Sequence, residues 1–269
     1  MKVRRLINQI GLLLGALGVA QGLVGGYGAL ASTREAAMAL LIGALVCAVP
    51  GIVMFMLTHE RTWQVERREA IFLMPVSWIV ASIGGAVPFF AWGMLMDGPT
   101  PWSGVVDAMF ESTSAFTTTG ASVVRDPSRV PGALLLWRAL AAWIGGLATV
   151  LLFVAVLPTL GVGRHSHVEV TSDQQVHEHI RSTGRQLVRL YGAITLVAAL
   201  IFVAFGDHPF DAGCHALSLV ATCAFRTSNE APLASVAIAS MLVMFLGSLS
   251  FVVLLRLFKG RWRQAWTDP

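Results

Sequence analysis

The sequence predicts an all-α polytopic membrane protein with six transmembrane helices and two re-entrant loops, and three observations carry that expectation. The composition is 55% hydrophobic and only 13% charged, with a mean hydropathy of +0.70, too few charges to cover a soluble domain of 269 residues. The apolar residues fall into six runs, 6–30, 36–58, 70–95, 133–158, 187–206 and 232–258, each close to the roughly 20 residues a helix needs to cross hydrocarbon. The basic residues gather in alternate connecting segments.

The first run follows "MKVRR" and exceeds the roughly 7–15 apolar residues of a signal peptide, so it is expected to be retained as a helix. With the N-terminus in the cytoplasm, the inner segments carry Lys2, Arg4 and Arg5, then Arg61, Arg67 and Arg68, then Arg164, Arg181, Arg185 and Arg189, then Arg256, Lys259, Arg261 and Arg263. Most of the 19 Lys and Arg are thus inside, and both termini are expected to be cytoplasmic, in a cytoplasmic (inner) membrane. The net charge of +4 and the pI near 9.4 then reflect topology and contact with anionic lipid, and call for no nucleic acid. Cys47 lies inside an apolar run, where a small packing residue is expected. Cys214 and Cys223 share the second outer segment without a redox signature.

The outer segments 96–132 and 207–231 share a plan: a polar or turn-rich entry, a short half-apolar stretch that reads as a half-helix, and a hydroxyl-rich, filter-like turn before the next span. In the first, "PWSGVVDAMFESTSAF" reads as a helix entered at Pro101 to Ser103; in the second, "HPFDAGCHALSLVATCAF" repeats the plan when the two are aligned on Phe116 and Phe225. Such self-similarity marks a duplicated unit. The first short helix runs into "TTTG". Irregular backbone is tolerated at membrane depth only when buried in protein or lining water, and a re-entrant turn whose carbonyls face a pore can replace a cation's hydration shell. Glycine accepts the dihedral angles such a turn needs, threonine hydroxyls add oxygen, and the short helix directs its negative C-terminal end at the cation. An external loop rich in hydroxyls is the plain alternative.

The run "FESTSAFTTTGASVV" followed by "LLLWRALAAWIGGLATVLLFVAVLPTLGVG" closely resembles the first pore loop and second helix of the TrkH/KtrB (Trk/Ktr/HKT) superfamily of potassium-uptake membrane subunits. "DAGCHALSLVATCAFRTSN" resembles their second pore loop more loosely. The resemblance implies an extra helix pair in 1–60, a first helix–pore loop–helix repeat in 61–163, a cytoplasmic linker in 164–186 and a second repeat in 187–269, two of the family's four repeats around one pore. It implies potassium as the transported ion, no cofactor bound by this chain, and a cytoplasmic nucleotide-binding regulatory subunit of the TrkA/KtrA type. It places a filter at Thr117, Thr118, Thr119 and Gly120 and, in the second repeat, at Thr222, Cys223, Ala224 and Phe225. Ala224 stands where the family has glycine. Half a ring cannot close a pore, so a separate C-terminal half, favoured here, or a second copy is expected to complete it.

Arg138 lies near the outer start of the fourth span, and an arginine there repels cations or, as preferred here, anchors a pore loop by pairing with Glu111 or Asp107. Asp107 and Asp211 are expected to cap or orient the short helices, with Asp97 on the solvated rim. His165, His167, His177 and His179 form two H-x-H pairs in the inner linker, without the cysteine or spacing of a zinc site; a solvated linker or a regulatory-subunit contact is expected. The spans contain almost none of the converging polar groups an enzyme needs, so no enzymatic activity is expected, and the remaining alternatives are a non-conducting partner or structural subunit, or an inactive fragment of a full-length transporter. The topology is testable. Cysteines introduced at Ser32, Ser128 and Asn229 should react with an impermeant thiol reagent from outside intact cells; reaction only after the membrane is opened would invert the topology.

Overall fold

The computed structural model describes residues 3–58, 67–96, 98, 100–156 and 173–249. Among them the chain is built of α1 (Val3–Ala31), α2 (Arg34–Thr58), α3 (Arg67–Leu95), α4 (Val105–Phe116), a 3-10 turn at Pro127–Arg129, α5 (Gly132–Val156), α6 (Asp173–Ala204), α7 (Pro209–Val220) and α8 (Ala234–Ser248). Five helices are long and apolar enough to cross a bilayer: Val3–Ala31, Arg34–Thr58, Phe72–Leu95, Gly132–Leu152 and Thr183–Ala204. They match the first five expected spans. The sixth appears as the 15-residue α8, and the rest of that run lies outside the described residues, as do Asp97, His165 and His167. Leu23, Leu30, Leu45, Met56, Ile79, Leu196, Met241 and Phe245 are all exposed. A surface this apolar is suited to hydrocarbon.

The described part of the polar linker is helical: α6 begins at Asp173 and carries His177 and His179 on its first turns. The residues "DQQVHEHIRSTGRQ" hold no proline and only one glycine, so the span's helix continues into the polar segment at little cost.

The chain divides into two compact units, Met1–Gly145 with Phe225–Glu230, and Gly146–Ala224 with Ala231–Pro269. In the first, α1 and α2 form a hairpin whose helices touch backbone to backbone. A Cβ on Gly18 would lie 2.7 Å from the Ala48 nitrogen and 2.8 Å from the Ala44 carbonyl oxygen, and one on Gly11 would lie 2.9 Å from the Gly51 carbonyl. In lipid, apolar burial gives helices little reason to associate, so close contact between small residues supplies the attraction. Gln21 is fully buried on α1 and donates to the Gly84 carbonyl of α3 at 2.9 Å. Cys47 packs at the same carbonyl, 3.6 Å away; all three cysteines are free and buried. Near the end of α3 Trp102 is completely buried, tilted against Phe89 (4.5 Å between rings) and edge-on to Trp92 (5.7 Å). Asp126 caps the 3-10 turn by accepting from the Ser128 amide and hydroxyl at 3.2 and 2.6 Å, and the hydroxyl, foremost, holds its carboxyl below the ordinary range.

In the second unit α6, α7 and α8 pack together. His208 caps α7, its ring accepting from the Phe210 amide, and His215 pairs with Asp207 at 2.9 Å. Gly146 admits both the Tyr191 hydroxyl and Ala221, which a Cβ would meet at 2.6 and 3.0 Å. Gly247 on α8 faces the Val220 carbonyl that ends α7.

The hairpin yields a prediction of opposite sign at neighbouring glycines. Gly18→Ala should lower the thermal stability of the detergent-solubilised protein by about 1–3 kcal/mol, since the added methyl meets backbone. Gly15→Ala, with nothing within 4 Å of the new Cβ, should be neutral or raise stability by up to about 1 kcal/mol through helix propensity.

Candidate ion-binding turns

The two short helices are the same object built twice. Both have 12 residues, with Asp107 and Asp211 in their first turns, where a carboxylate opposes the positive helix end. Both end in residues with ψ near 0°, Thr117 and Ala221. Past that point the amides of Thr118 and Thr119 turn back to the carbonyls of Ala115 and Ser114, and those of Thr222 and Cys223 to Leu219 and Ser218. The handedness also alternates alike: Thr118 (φ 56°) and Gly120 (φ 76°) are left-handed in the first turn, Thr222 (φ 57°) and Ala224 (φ 59°) in the second.

This register corrects the alignment on Phe116 and Phe225. Phe116 corresponds to Val220, and Phe225 to Ala121. The second four-residue turn is therefore Ala221–Ala224, and Phe225 is the residue after it. The hydrogen-bond pattern decides the register, and a shared phenylalanine does not. Ala224 stands where Gly120 does, in a conformation that costs a residue with a β-carbon roughly 1–2 kcal/mol.

The first turn is held from several sides. Trp78 of α3 donates its indole N–H to the Phe116 carbonyl at 3.1 Å. Ser114 donates to the Ala121 carbonyl at 2.6 Å, beyond the turn. Thr117 bonds back to Thr113 and sideways to the Thr119 hydroxyl, each at 2.7 Å. Gly145 of α5 lets the Phe116 carbonyl come so near that any Cβ there would overlap it. Trp137 lies edge-on to Phe116 and donates to the Gly85 carbonyl at 3.0 Å.

Behind the turn lies a buried ion pair. Arg138 and Glu111 are 2% and 0% exposed and meet at 3.1 Å. Glu111 also accepts from the Ser122 hydroxyl (2.8 and 3.1 Å) and the Val123 amide (3.1 Å), so one carboxylate ties the segment after the turn to its own short helix. The Arg138 guanidinium lies 4.6 Å from the centre of the Phe225 ring and donates to the Arg226 carbonyl. Asn229 reaches the Arg125 carbonyl at 2.7 Å. Of the two carboxylates considered for Arg138, Glu111 makes the pair; Asp107 stays at the start of α4 beside Gly104.

The sequence reading missed Trp78, Ser114, Ser122 and Gly145 as supports. Only Gly145 had a legible signal, as half of a glycine pair inside an apolar span. The others act through contacts distant along the chain or across a turn.

The model of a family described as a cation transport protein, TrkH, matches residues 36–265. The chain is 30% identical over 85% of its length to the Trk system potassium uptake protein TrkH of Vibrio parahaemolyticus, covering 47% of that protein. It is 33% identical over 66% of its length to TrkH of Halomonas elongata, covering 37% of it. The crystal structure of the potassium transporter TrkH from Vibrio parahaemolyticus superimposes with a TM-score of 0.83 at 26% identity, across 97% of this chain and 53% of that one. The chain spans about half the length of the curated relatives it matches, or less. The match across most of its length makes it a multi-pass membrane protein that belongs to the TrkH family of cation transport proteins.

Proposed function

We propose that the chain is a half-length pore subunit for potassium uptake across the cytoplasmic membrane, with two filter turns that enter from outside on re-entrant loops. The observation that carries this reading is the twice-repeated alternation of backbone handedness at Thr118 and Gly120 and at Thr222 and Ala224. Alternating handedness allows successive carbonyls to face one side, the arrangement that replaces a cation's water with backbone oxygen. Each turn follows the C-terminal end of a short helix, whose partial negative charge favours a cation.

In this reading Thr117, Thr118, Thr119 and Gly120 form one quarter of the filter, and Thr222, Cys223 and Ala224 contribute to another, with Phe225 as a support. Arg138 and Glu111 hold the first quarter in place, and Asp107 orients its helix. The relatives are named as parts of a Trk potassium uptake system, which supports potassium as cargo and an assembly with further components; the component proposed here is a cytoplasmic nucleotide-binding regulatory subunit. Four turns make a ring. The remaining two belong to the C-terminal half of the relatives' length that this chain does not cover, in preference to a second copy, because a homodimer would place the left-handed Ala224 in two of four positions. The repeats follow 61–163 and 187–269, with a helix pair in 1–60 before them and both termini inside.

Rubidium uptake into proteoliposomes tests the function. The chain reconstituted with a C-terminal half of a relative should take up rubidium, and the chain alone should insert without conducting; robust flux from the chain alone would favour two copies, and no flux from either preparation would favour the non-conducting reading. In the conducting assembly, Gly120→Ser should lower selectivity for potassium over sodium with the helical content unchanged, because a side chain at φ 76° costs roughly 1–2 kcal/mol and shifts the turn. Ala224→Gly should leave flux equal or higher and raise thermal stability by about 1 kcal/mol, since it removes the same cost.

A further inference from the structure

The two repeats differ at the positions of the buried ion pair. The matching position to Glu111 on α7 is His215, which pairs with Asp207 before the helix. The matching position to Arg138 is found by aligning the helices that follow the turns. α5 starts at Gly132 and α8 at Ala234, and Gly145 and Gly247 each face the last carbonyl of their short helix. That alignment sets Arg138 against Ser240, whose hydroxyl is spent on the Val236 carbonyl of its own helix. The second repeat has no carboxylate–guanidinium pair at these positions.

We infer that Arg138 is the positioning residue for the second turn as well as the first: it orders the second turn through the Arg226 carbonyl and the Phe225 ring, and so sets ion selectivity in both. Phe225–Glu230 belongs to the same compact unit as Arg138 and Glu111, although it follows the second turn directly in the chain. One side of the guanidinium serves Glu111 at 3.1 Å and Ser122 at 3.4 Å. Its other terminal nitrogen serves the Arg226 carbonyl, and its plane lies by Phe225. Two further bonds brace the same segment: Arg226 donates to the Glu230 carbonyl, and Asn229 to the Arg125 carbonyl. Planar geometry with several fixed donors allows this division of labour; a lysine ammonium, a point donor on a flexible stem, can satisfy Glu111 but cannot also span to Arg226 and stack on Phe225. The claim about selectivity rests on the potassium reading above, whereas the claim about position does not.

The test is Arg138→Lys in the full chain, read by amide hydrogen exchange in detergent and by rubidium-to-sodium selectivity in the assembly with a C-terminal half. Exchange in peptides covering 222–230 should quicken by about tenfold, the loss expected for a hydrogen bond to a charged donor, while peptides covering 111–124 stay protected. Selectivity should fall several-fold. Phe225→Leu, a mild change outside the ion pair, should quicken the same 222–230 peptides and leave 111–124 alone. Unchanged exchange at 222–230 in both variants, or equal loosening of 111–124, would overturn the positioning role. Local loosening with selectivity intact would overturn the link to selectivity. A wild-type assembly with no preference for potassium would sink the potassium reading and leave the exchange result standing.

Discussion

The arrangement around the first turn depends on a buried charge pair. Arg138 and Glu111 are both almost wholly enclosed, and taking two ions out of water is expensive unless their remaining donors and acceptors are also satisfied. Here most are. The carboxylate accepts from the guanidinium, a hydroxyl and an amide, and the guanidinium is shared with a carbonyl and an aromatic ring. Losing one partner would leave the other charge buried, at a typical cost of about 3–5 kcal/mol. A pair that is costly to break and directional in its bonds suits the task of holding strained backbone in one arrangement.

The strain is local and identifiable. Thr118, Thr222 and Ala224 are left-handed without being glycine, and such residues persist where surrounding contacts over-determine them. Around the first turn those contacts include an indole donor from α3, hydroxyl bonds within α4 and across the turn, and the glycine in α5 that lets the Phe116 carbonyl approach. One of the helices that delivers these groups, α3, packs against a hairpin joined through small residues. The hairpin of α1 and α2 meets at Gly11, Gly18 and Gly51, and Gln21 of α1 bonds to α3. Packing that brings backbones together places side chains with little slack.

The repeats show how duplication and divergence divide the work. Helix length, acidic first turn, C-cap angles and the alternation of handedness recur in α4 and α7, because these are set by backbone geometry within one short segment. The buried ion pair does not recur. Glu111 has His215 at its place, and Arg138 has Ser240, whose hydroxyl bonds within α8. The segment after the second turn is accordingly braced by residues of the first unit, at Arg138 and Arg125.

Much was legible in the sequence by itself. Five spans, both short helices and the first hydroxyl-rich turn follow from apolar run length and local composition, since hydrocarbon thickness and helix rise impose the same period on any chain. The pairing of Arg138 with a carboxylate on the preceding short helix was also accessible, because a charge near membrane depth demands a partner. The choice of Glu111 over Asp107 was not; it depends on which face of α4 turns towards α5. The helical start of α6 at Asp173, inside the polar linker, was not legible from apolar run length. The register of the second turn, with Ala224 opposite Gly120 and Phe225 outside the set, emerged only from hydrogen bonds and dihedral angles. Likewise the reach of Arg138 to Arg226 joins residues 88 apart in the chain. Composition and spacing encode what a segment does alone, and contacts of that length exist only once the helices have packed.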